Sequence, residues 1–150
     1  MMTITRSSSE NPDFIALVRL LDEDLARKDG KDHSFYAQFN KIDKIRHVVL
    51  AYENEKPVAC GAMKPFGEDA MEIKRMFVLP EKRNMGIATQ ILFELERWAA
   101  ELNYKKCALE TGKRQPDAIE LYKKHGFRLI PNYGQYKGVE NSLCFEKPIG

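Results

Sequence analysis

The chain has 150 residues, of which 43% are hydrophobic, and this is enough to fill one core, so we expect one domain over residues 1–150. Lys and Arg number 24 against 22 Asp and Glu, without a long run of like charges, so nothing indicates a nucleic-acid or anionic-membrane partner. No apolar signal-like segment and no stretch of the ~18 apolar residues that a membrane span needs is present, which predicts a cytoplasmic protein.

The first half of the chain predicts a short strand, a helix and a β-meander. Asn11 is a suitable N-cap for a helix that begins at Pro12. A polar stretch follows, which we interpret as a loop carrying a short second helix. Besides the helix that begins at Pro12, the predicted elements of this half are a strand at 3–6, the loop at 30–46, strands at 47–52, 57–63 and 71–79, and turns at 53–55 and 65–69.

The second half alternates helices and strands. From Gly86 onward, apolar residues recur at helical spacing until Asn103, which predicts a helix of four or five turns. Gly126 is expected to stop a second, shorter helix. The predicted pieces after the long helix are a strand at 106–111, a helix at 116–124, and strands at 127–130 and 142–146.

This order of elements predicts a mixed α/β sheet with a parallel crossover at its centre. Ligands in such sheets bind at the carboxyl ends of strands, beside the N-terminus of the crossover helix. We therefore expect the site around residues 79–89.

The segment 77–89 joins a strand to the long helix and contains the pattern R-x-x-G-x-A. Such a turn can direct free backbone N–H groups at one anion, and Gly86 lets the anion approach the main chain. The alternative is an ordinary helix start with solvated charges. A G-x-G-x-x-G and a G-x-x-x-x-G-K-[ST] are both absent, which weakens the Rossmann and P-loop interpretations.

Downstream, a strand ends in Leu-Glu-Thr-Gly at 109–112, and A-x-x-L-Y-x-x-x-G-F follows at 118–127. With the strand containing V-x-P at 78–80 and the R-x-x-G-x-A turn, the chain resembles the GNAT superfamily of acyl-CoA-dependent N-acyltransferases over roughly residues 48–146. The resemblance implies a mostly antiparallel sheet with a central splayed parallel strand pair flanked by helices.

By this resemblance, the protein transfers the acetyl group of acetyl-CoA to a primary amine by direct attack in a ternary complex. The acceptor would be a small molecule or a peptide, and a homodimer is left open. The alternative is a non-catalytic module of the same fold that binds or senses acyl-CoA. The residues that the resemblance assigns to CoA are Met76, Phe77, Val78, Lys82, Arg83, Asn84, Met85, Gly86, Ile87, Ala88, Thr89, Gln115 and Tyr122.

Within that set, residues 83–89 correspond to the pyrophosphate loop, with Lys82 and Arg83 as phosphate cations. The strand at 76–78 would hold the pantetheine arm, and the amide of Val78 would polarise the thioester carbonyl. Contacts from the Gln115 region are less defined, since the family often carries an asparagine there.

Glu72 is the predicted general base, with Glu110 as the second candidate, and Tyr122 is the predicted acid for the leaving thiolate. Both catalytic assignments follow from the resemblance. The alternatives are that Glu72 pairs with Lys74 or Arg75 across the sheet surface, and that Tyr122 only packs in the core.

Acceptor recognition is expected from the N-terminal helical region and from the late loop at 130–138, whose two tyrosines either wall a pocket or pack on the sheet edge. The acidic run Asp22-Glu23-Asp24 either attracts a cationic amine or forms a solvated face.

Histidines and cysteines carry no predicted chemistry. His125 ends a helix, where a cation is favoured. Cys60, Cys107 and Cys144 are far apart and in no C-x-x-C pattern, which favours buried free thiols. Because no histidine or carboxylate cluster has metal-ligand spacing, we expect no metal.

Overall fold

The computed structural model describes residues 2–29 and 45–149. The described residues form seven strands and three α-helices. The strands are β1 (Met2–Ser7), β2 (His47–Glu53), β3 (Lys56–Phe66), β4 (Ala70–Val78), β5 (Lys106–Gly112), β6 (Arg128–Ile130) and β7 (Ser142–Pro148). The helices are α1 (Pro12–Asp29), α2 (Ile87–Glu101) and α3 (Pro116–Lys124), with 3-10 turns at Pro80–Lys82 and Gly134–Tyr136.

The strands form one sheet in the order β1-β2-β3-β4-β5-β7-β6. In the described part of the chain, β4 and β5 pair in parallel and the other neighbouring strands pair antiparallel. Helix α2 is the crossover between the parallel strands. This confirms the predicted mixed sheet with its parallel pair at the centre.

The predicted element boundaries are confirmed with one correction. The turn expected at 65–69 is shorter, because β3 continues through Pro65 and Phe66, which pair with Met71 and Ala70. Strand β2 pairs with β3 only as far as Met63. Pro65 lies beyond this point, where no β2 residue needs a hydrogen bond from the N–H that proline lacks. The helix expected within 30–46 falls mostly outside the described residues. The single domain stays a prediction.

The helix ends follow the local chemistry that the sequence predicts. The side chain of Asn11 accepts a hydrogen bond of 2.8 Å from the amide of Asp13, which caps the start of α1. Asn103 adopts φ of 70° just after α2, and Gly126 adopts φ of 90° just after α3. Left-handed residues at these positions end helices by turning the chain away from the axis.

Two layers of helices pack on the two faces of the sheet. Helix α1 buries Phe14, Leu17 and Val18 against one face, in the same apolar cluster as Phe77 of β4. Helix α2 packs its apolar stripe against the opposite face. The central strand β4 is therefore covered on both sides near its carboxyl end.

The site is positioned by two irregularities in β4. Cys60 pairs with Phe77 whereas Ala62 pairs with Lys74, so β4 carries one extra residue, a β-bulge, and Arg75 within it has φ of 62°. In addition, β4 pairs with β5 only from Ala70 to Ile73. Beyond Ile73 the two strands diverge, and the sheet opens along the carboxyl-terminal half of β4.

Candidate active site

A cavity lies where β4 and β5 diverge. Side chains alternate along a strand, so Glu72 and Lys74 lie on the face of α1, opposite Ile73, which packs with α2. Tyr122 of α3 belongs to the core on the α2 face yet also lines the cavity. The cavity therefore has walls from both sides of the sheet. Its lining residues are Leu21, Leu25, Glu72, Ile73, Lys74, Arg75, Met76, Glu110, Thr111, Gly112, Gln115, Ala118, Tyr122 and Tyr136.

The backbone of Val78 is turned toward this opening. Val78 pairs with Ala59, and the amide of Leu79 donates to the carbonyl of Val58 at 2.9 Å. In an antiparallel ladder this makes Val78 a non-hydrogen-bonded partner of Ala59, so its own N–H and C=O point away from β3. They face the side from which β5 has diverged, and the carbonyl accepts the Nε–H of Arg83 at 2.9 Å.

The turn before α2 presents main-chain amides. Asn84 and Gly86 have φ of 65° and 78°, and α2 begins at the next residue, Ile87. The amides of Ile87, Ala88 and Thr89 belong to the first helical turn, which has no intrahelical acceptors for them. They point off the positive end of the helix, an arrangement suited to an anion.

The two predicted phosphate cations make contacts within the protein. Lys82 is hydrogen-bonded to Glu53. Arg83, besides its bond to Val78, lies 3.6 Å from the carboxylate of Asp24 and over the ring of Phe77. The charged groups of Lys82 and Arg83 are therefore directed at these partners rather than at the amides of the turn.

The remaining predicted CoA residues lie around this turn and the cavity. Met76 and Gln115 line the cavity, and Gln115 precedes the first residue of α3. The side chain of Met85 is 61% exposed at the tip of the turn. Thr89 contacts His125 across the two helices, with 2.9 Å between Oγ1 and Nε2.

Tyr122 is buried, and it both packs in the core and lies at the candidate site, which the sequence left as alternatives. Its ring packs edge-on against Phe127, with 5.7 Å between centroids, and it also lines the cavity. Burial, with a smaller contribution from the charge of Glu110, raises the pKa of its phenol. The hydroxyl is therefore protonated at neutral pH and available as a donor.

Glu72 is 4% exposed, and its two oxygens have different surroundings. The hydroxyl of Tyr133 donates to Oε2 at 2.8 Å, and Nζ of Lys74 lies 3.8 Å from Oε1. Burial lowers the pKa of Lys74. The ion pair with Lys74 is the one that the alternative interpretation expected, but it lies inside the cavity rather than on the sheet surface. Glu110, the second candidate, lines the same cavity.

Tyr133 was not predicted to contact Glu72. Tyr133 and Glu72 are 61 positions apart in the sequence, and their contact depends on a loop conformation that hydrophobic periodicity does not show. Tyr136, the other tyrosine of this loop, lines the cavity, as one of the two sequence alternatives expected. Lys74 was predicted only as an ion-pair partner of Glu72, and it also lines the cavity.

Two residues of the acidic run on α1 form ion pairs, whereas Glu23 is exposed. Asp22 accepts from Arg75 at 3.0 Å, and Asp24 lies close to Arg27 and Arg83. Because Arg75 sits in the bulge, its pair with Asp22 connects α1 to β4.

The histidine at the end of α3 and the cysteines have shifted pKa values. Burial and the neighbouring Lys124 and Lys147 lower the pKa of His125, against the preference of a helix end for a cation. The three cysteines are buried free thiols, as predicted, and burial raises their pKa values. Among residues 2–29 and 45–149, the structure shows no group of His, Cys, Asp and Glu arranged to hold a metal and no helix suited to crossing a membrane.

The family model of the acetyltransferase (GNAT) family matches residues 14–127. The chain belongs to this family. As a member it is an acetyltransferase, and the matched range contains the divergent strands, the turn before α2 and Tyr122.

Individual relatives agree with the family. The chain is 32% identical over 151 residues to an IAA acetyltransferase of Azospirillum brasilense, covering 99% of this chain and 98% of that one. A Klebsiella pneumoniae protein assigned to the acyl-CoA N-acyltransferases is 26% identical, with a TM-score of 0.82 over 100% of this chain and 99% of the other. A Thermoplasma acidophilum PaiA N-acetyltransferase, solved with coenzyme A, shares the fold with a TM-score of 0.74, 17% identity and 99% coverage of both chains.

Proposed function

We propose that this acetyltransferase moves the acetyl group of acetyl-CoA to a primary amine by direct attack in a ternary complex. The observation that carries the proposal is the cavity between β4 and β5, which Glu72 and Tyr122 both line. The CoA complex of the Thermoplasma acidophilum PaiA N-acetyltransferase, a protein of the same fold, supports the choice of donor. The acceptor would be a small molecule or a peptide.

The donor binds along β4 and the turn before α2. The amides from Asn84 to Thr89 bind the pyrophosphate, and the open edge of β4 at 76–78 pairs with the pantetheine arm as an added strand. Because Lys82 and Arg83 already contact Glu53, Val78 and Asp24, amides supply most of the direct hydrogen bonds and the cations add charge nearby.

The acceptor enters from the face of α1. An alkylammonium has a pKa of about 10.4, so it must lose a proton before it attacks at neutral pH. Glu72 takes that proton, directly or through water, and the amine nitrogen attacks the thioester carbonyl carbon. The amide of Val78 stabilises the oxyanion that develops.

Collapse of the tetrahedral intermediate breaks the carbon–sulfur bond, and the attacking nitrogen releases its remaining extra proton to water. Tyr122 donates a hydrogen bond to the departing thiolate. A free thiol has a pKa of about 8.5, below that of a phenol. The pKa of the Tyr122 phenol is raised further by burial, but the same burial also raises the pKa of a thiolate formed beside it. A hydrogen bond that strengthens as the thiolate forms is therefore favourable.

The alternative is a module that binds acyl-CoA without turnover. The presence of both Glu72 and Tyr122 in one cavity favours the enzyme, since a sensor needs neither a base nor an acid there.

A panel of primary amines, incubated with acetyl-CoA while free thiol release and product mass are followed, tests the proposal. At least one amine should be acetylated, and Glu72→Gln should lower kcat/KM roughly 10²-fold while acetyl-CoA still binds. Acetyl-CoA binding by calorimetry without thiol release for any amine would favour the sensing module. A Glu72→Gln rate within about twofold of the parent would move the role of base to Glu110.

A further inference from the structure

The late loop between β6 and β7 holds a hydroxyl on the predicted base. Tyr133 donates to Oε2 of Glu72 at 2.8 Å, and the carboxylate is almost completely buried. We propose that Tyr133 is a positioning residue, which fixes the orientation of Glu72 and leaves Oε1 to take the proton of the acceptor amine. This inference rests on the role of Glu72 in the proposed function.

The position of Tyr133 is itself fixed by the loop. The side-chain amide of Asn132 donates to the carbonyls of Val139 and Ser142 at 3.0 Å each, which ties the two ends of the loop together. The ring of Tyr133 lies tilted against Phe66, with 4.5 Å between centroids, and edge-on to Tyr136. The hydroxyl is therefore directed at Glu72 by packing from the β3 end and from its own loop.

The two oxygens of Glu72 consequently differ. Oε2 accepts the hydrogen bond from Tyr133, whereas Nζ of Lys74 lies 3.8 Å from Oε1, which is beyond hydrogen-bonding distance. An acceptor ammonium that approaches through the cavity can therefore meet Oε1 without displacing Tyr133. A carboxylate held at one oxygen keeps its orientation while the other oxygen gains and releases a proton.

The hydrogen bond also affects protonation. A phenol donates more strongly to a carboxylate than to a protonated carboxyl, so the effect of this hydrogen bond should be visible in the pH dependence of the rate. Burial of Tyr133 and the charge of Glu72 raise the pKa of the phenol, so the donor keeps its own proton. The charged and titratable groups that surround Glu72 are Lys64 on β3, Lys74 and Arg75 on β4, Glu110 on β5, Tyr133 and Tyr136 in the loop, Cys144 on β7 and Asp22 on α1.

The test is the pH profile of kcat/KM for Tyr133→Phe. A hydrogen-bond donor favours the charged form of a carboxylate, so its loss should move the midpoint of the acidic limb up by about one pH unit. At a fixed pH on the acidic limb, activity should fall by up to about 10-fold, and it should recover as the pH rises. A purely structural tyrosine would lower activity at every pH without moving the midpoint, and that result would overturn the inference.

Tyr52→Phe is the matched control. Tyr52 donates to Asp13 at 2.6 Å, a bond of the same kind between β2 and α1 that does not line the cavity. The Tyr52→Phe variant removes one phenol–carboxylate hydrogen bond and should leave the midpoint of the acidic limb of kcat/KM unchanged. Equal movement of the midpoint in both variants would show a general effect of lost hydroxyls and contradict the assignment.

A second variant covers the case in which Tyr133→Phe does not fold. With 3,5-difluorotyrosine at position 133, the ring is retained and the phenol is a stronger donor, so the midpoint should move down instead of up. An unmoved midpoint in the folded fluorinated protein would also overturn the inference.

The pH profile of Glu72→Gln distinguishes a failure of Glu72 as the base from a failure of Tyr133 as its positioning residue. If this variant keeps the parental acidic limb, Glu72 is not the base and the proposed function fails at that point, together with the inference. If it loses the limb while Tyr133→Phe leaves the midpoint in place, the inference alone fails.

Discussion

At Tyr122, one hydroxyl separates a catalytic residue from a packing residue. Tyr122→Phe keeps the edge-on contact with Phe127 and removes only the donor. If the hydroxyl assists the leaving thiolate, kcat should fall by about 10-fold to 10³-fold with little change in the KM of acetyl-CoA. The loss should shrink with a thioester whose thiol has a lower pKa.

The measurement is steady-state kinetics under conditions in which chemistry limits turnover. Parental turnover in Tyr122→Phe would leave this residue as part of the core. Thermal unfolding of the variant serves as the control for intact packing.

At the residue scale, the sequence places near the cavity those residues that belong to a local motif, and their catalytic roles stay predictions. Glu72 and Tyr122 were assigned by resemblance, and both line the cavity. Sequence reasoning failed for contacts that depend on distant loops, such as Tyr133 with Glu72, and for charges such as Lys82 and Arg83, whose protein partners cannot be read from spacing.

At the scale of elements, the turn before α2 and the turn between β3 and β4 provide a matched pair of glycines. Gly86 and Gly67 have φ of 78° and 72°, and an added Cβ at either meets no atom within 4 Å. A side chain at either position is strained by about 1–2 kcal/mol, but only Gly86 lies on the predicted pyrophosphate turn.

Gly86→Trp should therefore weaken acetyl-CoA binding at least about 10-fold, or 1.4 kcal/mol, because the indole blocks the amides of the turn. Gly67→Trp should bind like the parent, although both variants lose some stability. Calorimetry measures both affinities. Unchanged affinity in folded Gly86→Trp would remove the pyrophosphate from this turn.

The divergence of β4 and β5 was expected from the resemblance, but its structural cause was not predictable from the sequence. The bulge at Arg75 is occupied by a residue that ordinarily avoids positive φ, and nothing in the hydrophobic pattern of β4 indicates an inserted position. The pair between Arg75 and Asp22 is tertiary, so it becomes visible only when α1 is placed on the sheet.

For the whole molecule, the order of elements along the chain was sufficient to predict the mixed sheet and its central crossover. Hydrophobic periodicity and turn residues determine these elements locally. The consequence for function is an opening reached from two faces, with Tyr122 on the α2 side and Glu72 on the α1 side. Donor and acceptor can thus occupy the opening together.

Direct attack is further supported by the state of the thiols. A double displacement needs a nucleophile that becomes acylated, usually an accessible thiolate or an activated hydroxyl. Burial raises the pKa of Cys60 and Cys107 to about 12 and that of Cys144 to about 11, so none of them ionises readily at neutral pH. None of the three thiols is therefore suited to carry the acetyl group.

The most direct test is initial-rate kinetics in which acetyl-CoA and an acetylated amine from the panel are both varied. A ternary complex predicts double-reciprocal lines that intersect, and the protein mass should be unchanged by acetyl-CoA alone. Parallel lines together with an acetylated protein would contradict direct transfer at the opening between β4 and β5.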